Sequence, residues 1–512
     1  MKRAFHLKLI FMLIGLTISS CGNDDNAQPD IPEEENKSPI ITNISPSGAA
    51  VGSEVTIYGE NLGSDMDGIA VSFNGIVATS VSLDENGNIV VVVPQGTTDG
   101  GVVVTVNDEA SMAFNFNVLP SILDFYPVEA MEGDQITISG TSFGDDINQV
   151  GVVFGGSVMA DDVILNDDGD IVAVVPSGAE VGTITVSIGE ESTVSEALLK
   201  IYGIYVAGHV NIGDTNIATQ WKNGVEQQLS EYKSSAYAVS VEGTDVYAAG
   251  YVMKNNLEAI ATIWKNGEVF MELTDGSLEA VAVSVAVANG NVYAAGGEWD
   301  PNENSYFPKI WNNGEEVLID EVNLGLARSV FVDGDDFYVG GDERVDGKEE
   351  AVYWKNGERH LLESFPYDIS TNHTVSSIRV KDGIVYAVGA INNFVANAWT
   401  ADKDGGNVTS TVLVENEELY SRASSVFVDG NNDVYIVGRY DKKAVIWKNG
   451  LMTELPDASD PNFISNAQSI CIYNNDIYVA GGDGNAVIWI NSQPMLLPTV
   501  GESAYAKSVF VH

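Results

Sequence analysis

Cysteine is nearly absent from this sequence: Cys21 and Cys471 are the only two in 512 residues. A disulfide framework is thereby excluded, and stability must come from packing. Cations are scarce too, 24 Lys plus Arg against 73 Asp plus Glu, a formal net charge of -49. Such a chain repels nucleic acid and anionic lipid headgroups, and its excess carboxylate admits loosely held calcium without naming a function. Histidine is rare, and His209, His360, His373 and His512 share no short metal-binding spacing, so no zinc centre is expected. The repeats of 202–512 hold no G-x-S-x-G elbow, P-loop or Asp box of the form S-x-D-x-G-x-x-W. The expectation is a protein without catalytic residues, metal or cofactor. The apolar run "LIFMLIGLTI" near the N-terminus is too short to span a bilayer.

That run, flanked by Lys2, Arg3 and Lys8 and followed by "ISSC", reads as an export signal over residues 1–20. Ile18, Ser19, Ser20 and Cys21 resemble a bacterial lipobox. The resemblance implies diacylglycerol on the Cys21 thiol, with Cys21 as the mature N-terminus. Without residues 1–20 the chain would carry 21 cations and a net charge of -52. Residues 21–38, "CGNDDNAQPDIPEEENKS", hold too little apolar surface to offset the entropy of ordering and form an acidic tether. Acidic residues just after a lipidated cysteine are similar to the surface-export signals of Bacteroidota lipoproteins; a merely solvated linker is the alternative. Cys471, in "QSICIY" where other repeats carry Phe331 and Phe427, reads as a small core hydrophobe.

One unit is then written twice. "ISPSGAAVGSEVTIYGENLG" (44–63) aligns with "FYPVEAMEGDQITISGTSFG" (125–144), with Pro46 and Pro127 81 residues apart. Short alternating segments separated by turns predict small antiparallel sandwiches over 39–118 and 119–201. The Pro, the Gly before V-T-I-x-G and the closing Phe/Leu-Gly resemble IPT/TIG domains, which implies immunoglobulin-like folds. "DENGN" (84–88) and "NDDGD" (166–170) lack the distal glutamate of a calcium loop and read as hairpin turns.

Over 202–512 the chain repeats with a period in the forties. Segments such as "VYAAG" end at Gly208, Gly250, Gly296, Gly341, Gly389, Gly438 and Gly481; each leads to a tryptophan, Trp221, Trp264, Trp311, Trp354, Trp399, Trp447 or Trp489. Most of these run into Asn-Gly, the sequence of a two-residue type I′ hairpin. A third element like "SVFVDG" precedes every Tyr-Gly segment except the first, and its missing copy is the terminal "KSVFVH". The prediction is an all-β chain: two immunoglobulin-like sandwiches, then a seven-bladed propeller closed by the C-terminal strand. Diglycine in three repeats is similar to kelch repeats, but the Trp-Asp of WD40 blades is missing, and no named propeller family follows.

Turns between first and second and between third and outer strands are short and alike, and in a propeller they share one face. On the other face the sequence predicts long, dissimilar loops, the usual place for recognition: 297–309, 363–377, 414–425 and 456–469. They carry Trp299, Tyr306, Phe307, Tyr367, Tyr420 and Phe463, which suit stacking on a ligand or local packing. At the start of each first strand stands Ala-x-Ser (Val-x-Ser once), with x read as Val239, Val283, Arg328, Ser376, Ser424, Gln468 or Lys507. Arg328 and Lys507 would mark the channel mouth or be solvated side chains.

The expectation for function is a monomeric, lipid-anchored outer-membrane protein, surface-exposed, with the sandwiches as spacer and the propeller binding a glycan or a cell-envelope protein. It resembles glycan-capture lipoproteins of Bacteroidota. An adhesion or assembly platform and a polysaccharide-cleaving enzyme are the alternatives.

Overall fold

A computed structural model describes residues 38–254, 258–320, 323–362, 372–392, 394–414, 416, 419–458 and 463–512. Cys21, the export signal, nearly all of the tether and Tyr367 lie outside these. The chain divides into two compact units, Met1–Leu119 and Pro120–His512. Among the described residues no helix is long and apolar enough to cross a membrane.

The first unit holds one immunoglobulin-like sandwich. Alternation along Glu54–Glu60 turns Val55 and Ile57 inward while Glu54 and Tyr58 stay exposed. Strands Ile69–Phe73, Ile89–Val92 and Gly100–Val106 do the same, and Phe73 meets Phe116 edge-on at 5.3 Å in the core. The second unit begins with a sandwich on the same plan, its core built from Phe125, Ile136, Ile138, Phe154, Ile171 and Val186. In the turns, Asp84 accepts the backbone N–H groups of Asn86 and Asn88, and Asn166 those of Asp168 and Asp170. Their side chains thus hold hairpin turns.

The propeller follows as seven four-stranded antiparallel sheets. Blade one draws its inner strand from the far end of the chain: Ser503–Val511 pairs with Ile204–Ile212 from Ile204↔Val511 to Asn211↔Ser503. Closure spans nine residues, more than the six of "KSVFVH", because pairing continues past Lys507. The other inner strands are Ser234–Glu242, Ala280–Ala288, Leu324–Asp333, His373–Lys381, Ser421–Val428 and Asn466–Tyr473, blades two to seven.

The seven repeat tryptophans are fully or almost fully buried. Trp221, Trp447 and Trp489 donate Nε1–H to the carbonyls of Pro498, Leu413 and Pro456, each in the connection from the preceding blade. The ring therefore joins neighbouring blades, and its removal would cost about 3–5 kcal/mol. The residues around it complete the repeat. Asn266 adopts positive φ and its Oδ1 accepts from Val246 N, tying the turn to the second strand; Asn356 and Asn449 do the same with Phe337 and Val434. Lys265, Lys355 and Lys448 lie over Tyr247, Tyr338 and Tyr435 and pair with Asp245, Asp336 and Asp433. In Trp-Lys-Asn-Gly the Lys and Asn thus clamp their own blade while the Trp meets its neighbour, and Lys355 also reaches Asp404 of blade five.

Each inner strand carries one β-bulge, opposite the glycine that ends the Tyr-Gly segment. The bulge drives an inner-strand carbonyl against that glycine: a Cβ on Gly208 would meet Tyr505 O at 1.8 Å, and one on Gly250 would meet Ser235 O at 1.9 Å. Only glycine fits there. The serine after the bulge bonds the next blade. Ser284, Ser329, Ser377, Ser425, Ser469 and Ser508 accept, through Oγ, the backbone N–H of Val330, Ile378, Val426, Ile470, Val509 and Val239. In blade two the equivalent of Ala-x-Ser is Ala236-Tyr237-Ala238, so the bulge residue is Tyr237, not the expected Val239. Pairing of Ala236 with Gly250 fixes this alignment, although Ala238-Val239-Ser240 is the segment that carries the serine.

The second sandwich packs on the propeller face that carries the short turns. Lys222, in the Trp-Lys-Asn-Gly of blade one, pairs with Glu132 at 3.0 Å, and Tyr202, just past the sandwich, lies 5.3 Å from Tyr473 of blade seven. Asn474, in a blade-seven turn, bonds Glu129.

Candidate functional site

The seven bulge residues, Lys507, Tyr237, Val283, Arg328, Ser376, Ser424 and Gln468, all line one open cup of about 770 Å³ around the ring axis. A bulge leaves its extra residue unpaired and re-aims its side chain, which explains why this position in every blade faces the lumen. The cup lies on the face opposite the Trp-Lys-Asn-Gly turns.

Its wall has two chemically different arcs. Blades one to three supply Lys507, Tyr237, Tyr251, Glu279 and Tyr306. Tyr306 donates its hydroxyl to Glu279 Oε1 at 2.5 Å, and burial, then this carboxylate, raises the phenol's pKa. Tyr237 and Tyr251 rings lie 6.3 Å apart, and burial pushes Tyr237 up to about 12. The Lys507 ammonium sits 3.7 Å from the centre of the Tyr237 ring and 3.4 Å from Ser235 Oγ. Withdrawal from water holds it at about 8.

Blades four to six supply Arg328, Arg422, Arg439 and Tyr420. Arg328 is gripped by the buried Asp342, Nε to Oδ1 2.5 Å. Arg422 and Arg439 are directly opposite each other on paired strands. The Arg422 guanidinium reaches Ser376 Oγ at 3.2 Å, whereas Arg439 lies 3.7 Å over the Tyr420 ring. Among the described residues neither has a carboxylate within ion-pair distance, and burial, then Arg328, lowers the pKa of Arg422. Deeper in the lumen Arg379 stacks 4.9 Å from Phe331.

The structure thus brings Tyr306, Arg328, Tyr420 and Lys507 into one cup. Trp299 touches Tyr306 at 5.1 Å, edge to face, but lies outside the lining, as does Phe307. The long loop expected at 297–309 is instead an extended hairpin, Asn291–Asp300 paired with Ser305–Asn312 through Trp299↔Tyr306. Alternation of Trp, Tyr and Phe with polar residues continues the strands, and only 301–304 turn. Phe463 is exposed beside Gly484 and apart from the cup. Sequence reasoning missed Lys233, Arg422, Arg439, Tyr237 and Tyr251. Arg422 and Tyr251 adjoin repeat landmarks, Ala423 and Gly250, and that adjacency was the available signal.

For metals, no cluster of three or more His, Cys, Asp or Glu suited to an ion occurs among the described residues. In the acidic turns of blades three and five, Asp300 accepts Asn302 N and Asp404 pairs with Lys355. Cys471 is half-buried on the blade-seven inner strand, where burial raises its thiol pKa.

The sandwich geometry and the proline-glycine pattern meet in one comparison. Residues 39–118 and 120–200 each match the model of the IPT/TIG domain. No curated protein matches the chain. Among solved structures, a Bacteroides thetaiotaomicron protein of unknown function is 13% identical, covers 77% of this chain and 99% of its own, with TM-score 0.35. An auxiliary nutrient binding protein from the same organism is 13% identical over 77% and 90%, TM-score 0.28. The periplasmic gluconolactonase of Pseudomonas aeruginosa is 9% identical over 60% and 99%, TM-score 0.38. Likeness at this level assigns no function to the TIG-propeller chain.

Proposed function

We propose that this protein is a lipid-anchored, surface-exposed binding protein whose TIG domains act as spacer and whose propeller cup receives a glycan. The cup itself carries the reading: a wide, open recess in which Tyr237, Tyr251, Tyr306 and Tyr420 stand among hydrogen-bonding side chains. Tyrosine faces suit the apolar faces of sugar rings, and the polar groups between them suit hydroxyls. Glu279 is the one carboxylate among the described lining residues, and hydrolysis of a glycosidic bond ordinarily takes two, which favours binding over cleavage. Contact between the second TIG domain and the short-turn face leaves the cup, on the opposite face of the propeller, open to a ligand.

Titration calorimetry with an oligosaccharide panel tests the glycan reading. Tyr306→Ala with Tyr420→Ala should abolish binding while leaving the melting temperature within a few degrees, and retained affinity would remove the cup from consideration. For the anchor, an alkyne fatty acid should label wild type and not Cys21→Ala.

A further inference from the structure

We infer that the cup's ligand is an acidic saccharide, its carboxylate or sulfate groups seated on the Arg422–Arg439 side and its sugar faces on the tyrosine side. This rests on the glycan reading and specifies its class.

The argument starts from a conflict. Like charges directly opposite on paired strands destabilise a sheet, yet Arg422 and Arg439 are so placed. Carboxylates outnumber cations 73 to 24 in this chain, and of the six described arginines Arg328, Arg344 and Arg359 are each paired with one, while Arg379 stacks on Phe331. Arg422, Arg439 and Lys507 face the cup without an ion-pair partner among the described residues. Their own contacts are two hydroxyls, an amide oxygen and two aromatic rings: Ser376, Ser235, Asn466, Tyr420 and Tyr237. These orient the cations without neutralising them. A desolvated, unneutralised cation is costly, and the cost is recovered when an anion arrives. Planar guanidinium groups match carboxylate and sulfate oxygens bidentately. Arg328 differs: Asp342 occupies its Nε and neutralises its charge, so it adds less to the positive field than Arg422 and Arg439.

The chain's large negative charge would repel polyanions at long range, so the complex must form through this local reversal of sign and should weaken with salt. Lys507 adds a pH signature. Its ammonium is charged below about 8 and neutral above, so anion affinity falls as pH rises through that value.

The test titrates the purified protein with three hexasaccharides: hexagalacturonate, a chondroitin sulfate hexamer and neutral cellohexaose. The expected result is binding of at least one acidic oligomer at least tenfold tighter than cellohexaose, weakened about tenfold by Arg422→Gln and severalfold between pH 7 and 9. Because Arg422→Gln also removes a like-charge contact, its melting temperature should hold or rise, which separates loss of binding from loss of fold. Lys507→Met should abolish the pH dependence. If cellohexaose binds as well as the acidic oligomers, or if Arg422→Gln and Lys507→Met bind them unchanged, the inference falls while the glycan reading stands. If no saccharide, acidic or neutral, binds wild type on a wide panel, the glycan reading falls and takes this inference with it.

Discussion

Ser508 Oγ accepts the backbone N–H of Val239 at 3.2 Å, so a residue four places from the C-terminus holds the first inner strand that follows blade one in the chain. The equivalent bond joins Ser469 to Val509 on the other side of the terminal strand. Ring closure is thus made both by sheet pairing within blade one and by serine links to both neighbours.

Each serine link is a buried or half-buried hydrogen bond with a net worth of about 1 kcal/mol. Ser284→Ala and Ser425→Ala should each lower stability by about that amount. Blade two alone has alanine at this position, Ala238, and lacks the link to blade three. Ala238→Ser should therefore stabilise the protein by roughly 0.5–1 kcal/mol. Chemical denaturation of the three variants checks the set; a destabilising Ala238→Ser would mean that the hydroxyl finds no partner there.

Removing Ser503–His512 strips blade one of its inner strand and exposes the edge of Ile204–Ile212. The truncated chain should aggregate or melt far below wild type. Light scattering and calorimetry measure this, and an unchanged melting temperature would refute closure by the terminal strand.

Blade number and closure were legible in the sequence because they depend on local repetition: glycine at the bulge, tryptophan before the turn, Asn-Gly in the turn. The cup was legible only in part. Arg328 and Lys507 stood out because they break a repeat position, but Arg422 and Arg439 meet through strand register, which one sequence of many similar strands does not display. Tyr237 was passed over because Ala238-Val239-Ser240 fits Ala-x-Ser while Ala236-Tyr237-Ala238 lacks the serine, and only the pairing of Ala236 with Gly250 reveals the bulge. Trp299 and Phe307 were assigned to a loop because "DPNENS" reads as irregular; the flanking aromatics extend the hairpin instead.

The Trp-Lys-Asn-Gly turns should be silent in binding. Lys265, Lys355 and Lys448 are engaged with Tyr and Asp of their own blades, on the face opposite the cup. Alanine at all three should leave oligosaccharide affinity unchanged within twofold and lower the melting temperature slightly. Loss of binding would place the recognition surface on the turn face.

His209 supplies a pH-dependent term in stability. It is buried in the second strand of blade one, stacked 5.0 Å from Tyr505, with Nδ1 3.1 Å from Ser235 Oγ. Burial, and then the nearby Lys507, hold its pKa at about 4, below the 6.5 of the unfolded chain. Between these values the unfolded chain binds a proton that the folded one refuses, so stability is lost as pH falls through that window and is unaffected above it. From pH 7 to pH 5 the loss should be about 2 kcal/mol. His209→Phe keeps the stacked ring and removes the titration. Urea unfolding at both pH values should show the variant losing about 2 kcal/mol less than wild type over that interval. Equal losses would show that His209 is protonated inside the fold, with Ser235 and Tyr505 accommodating its charge.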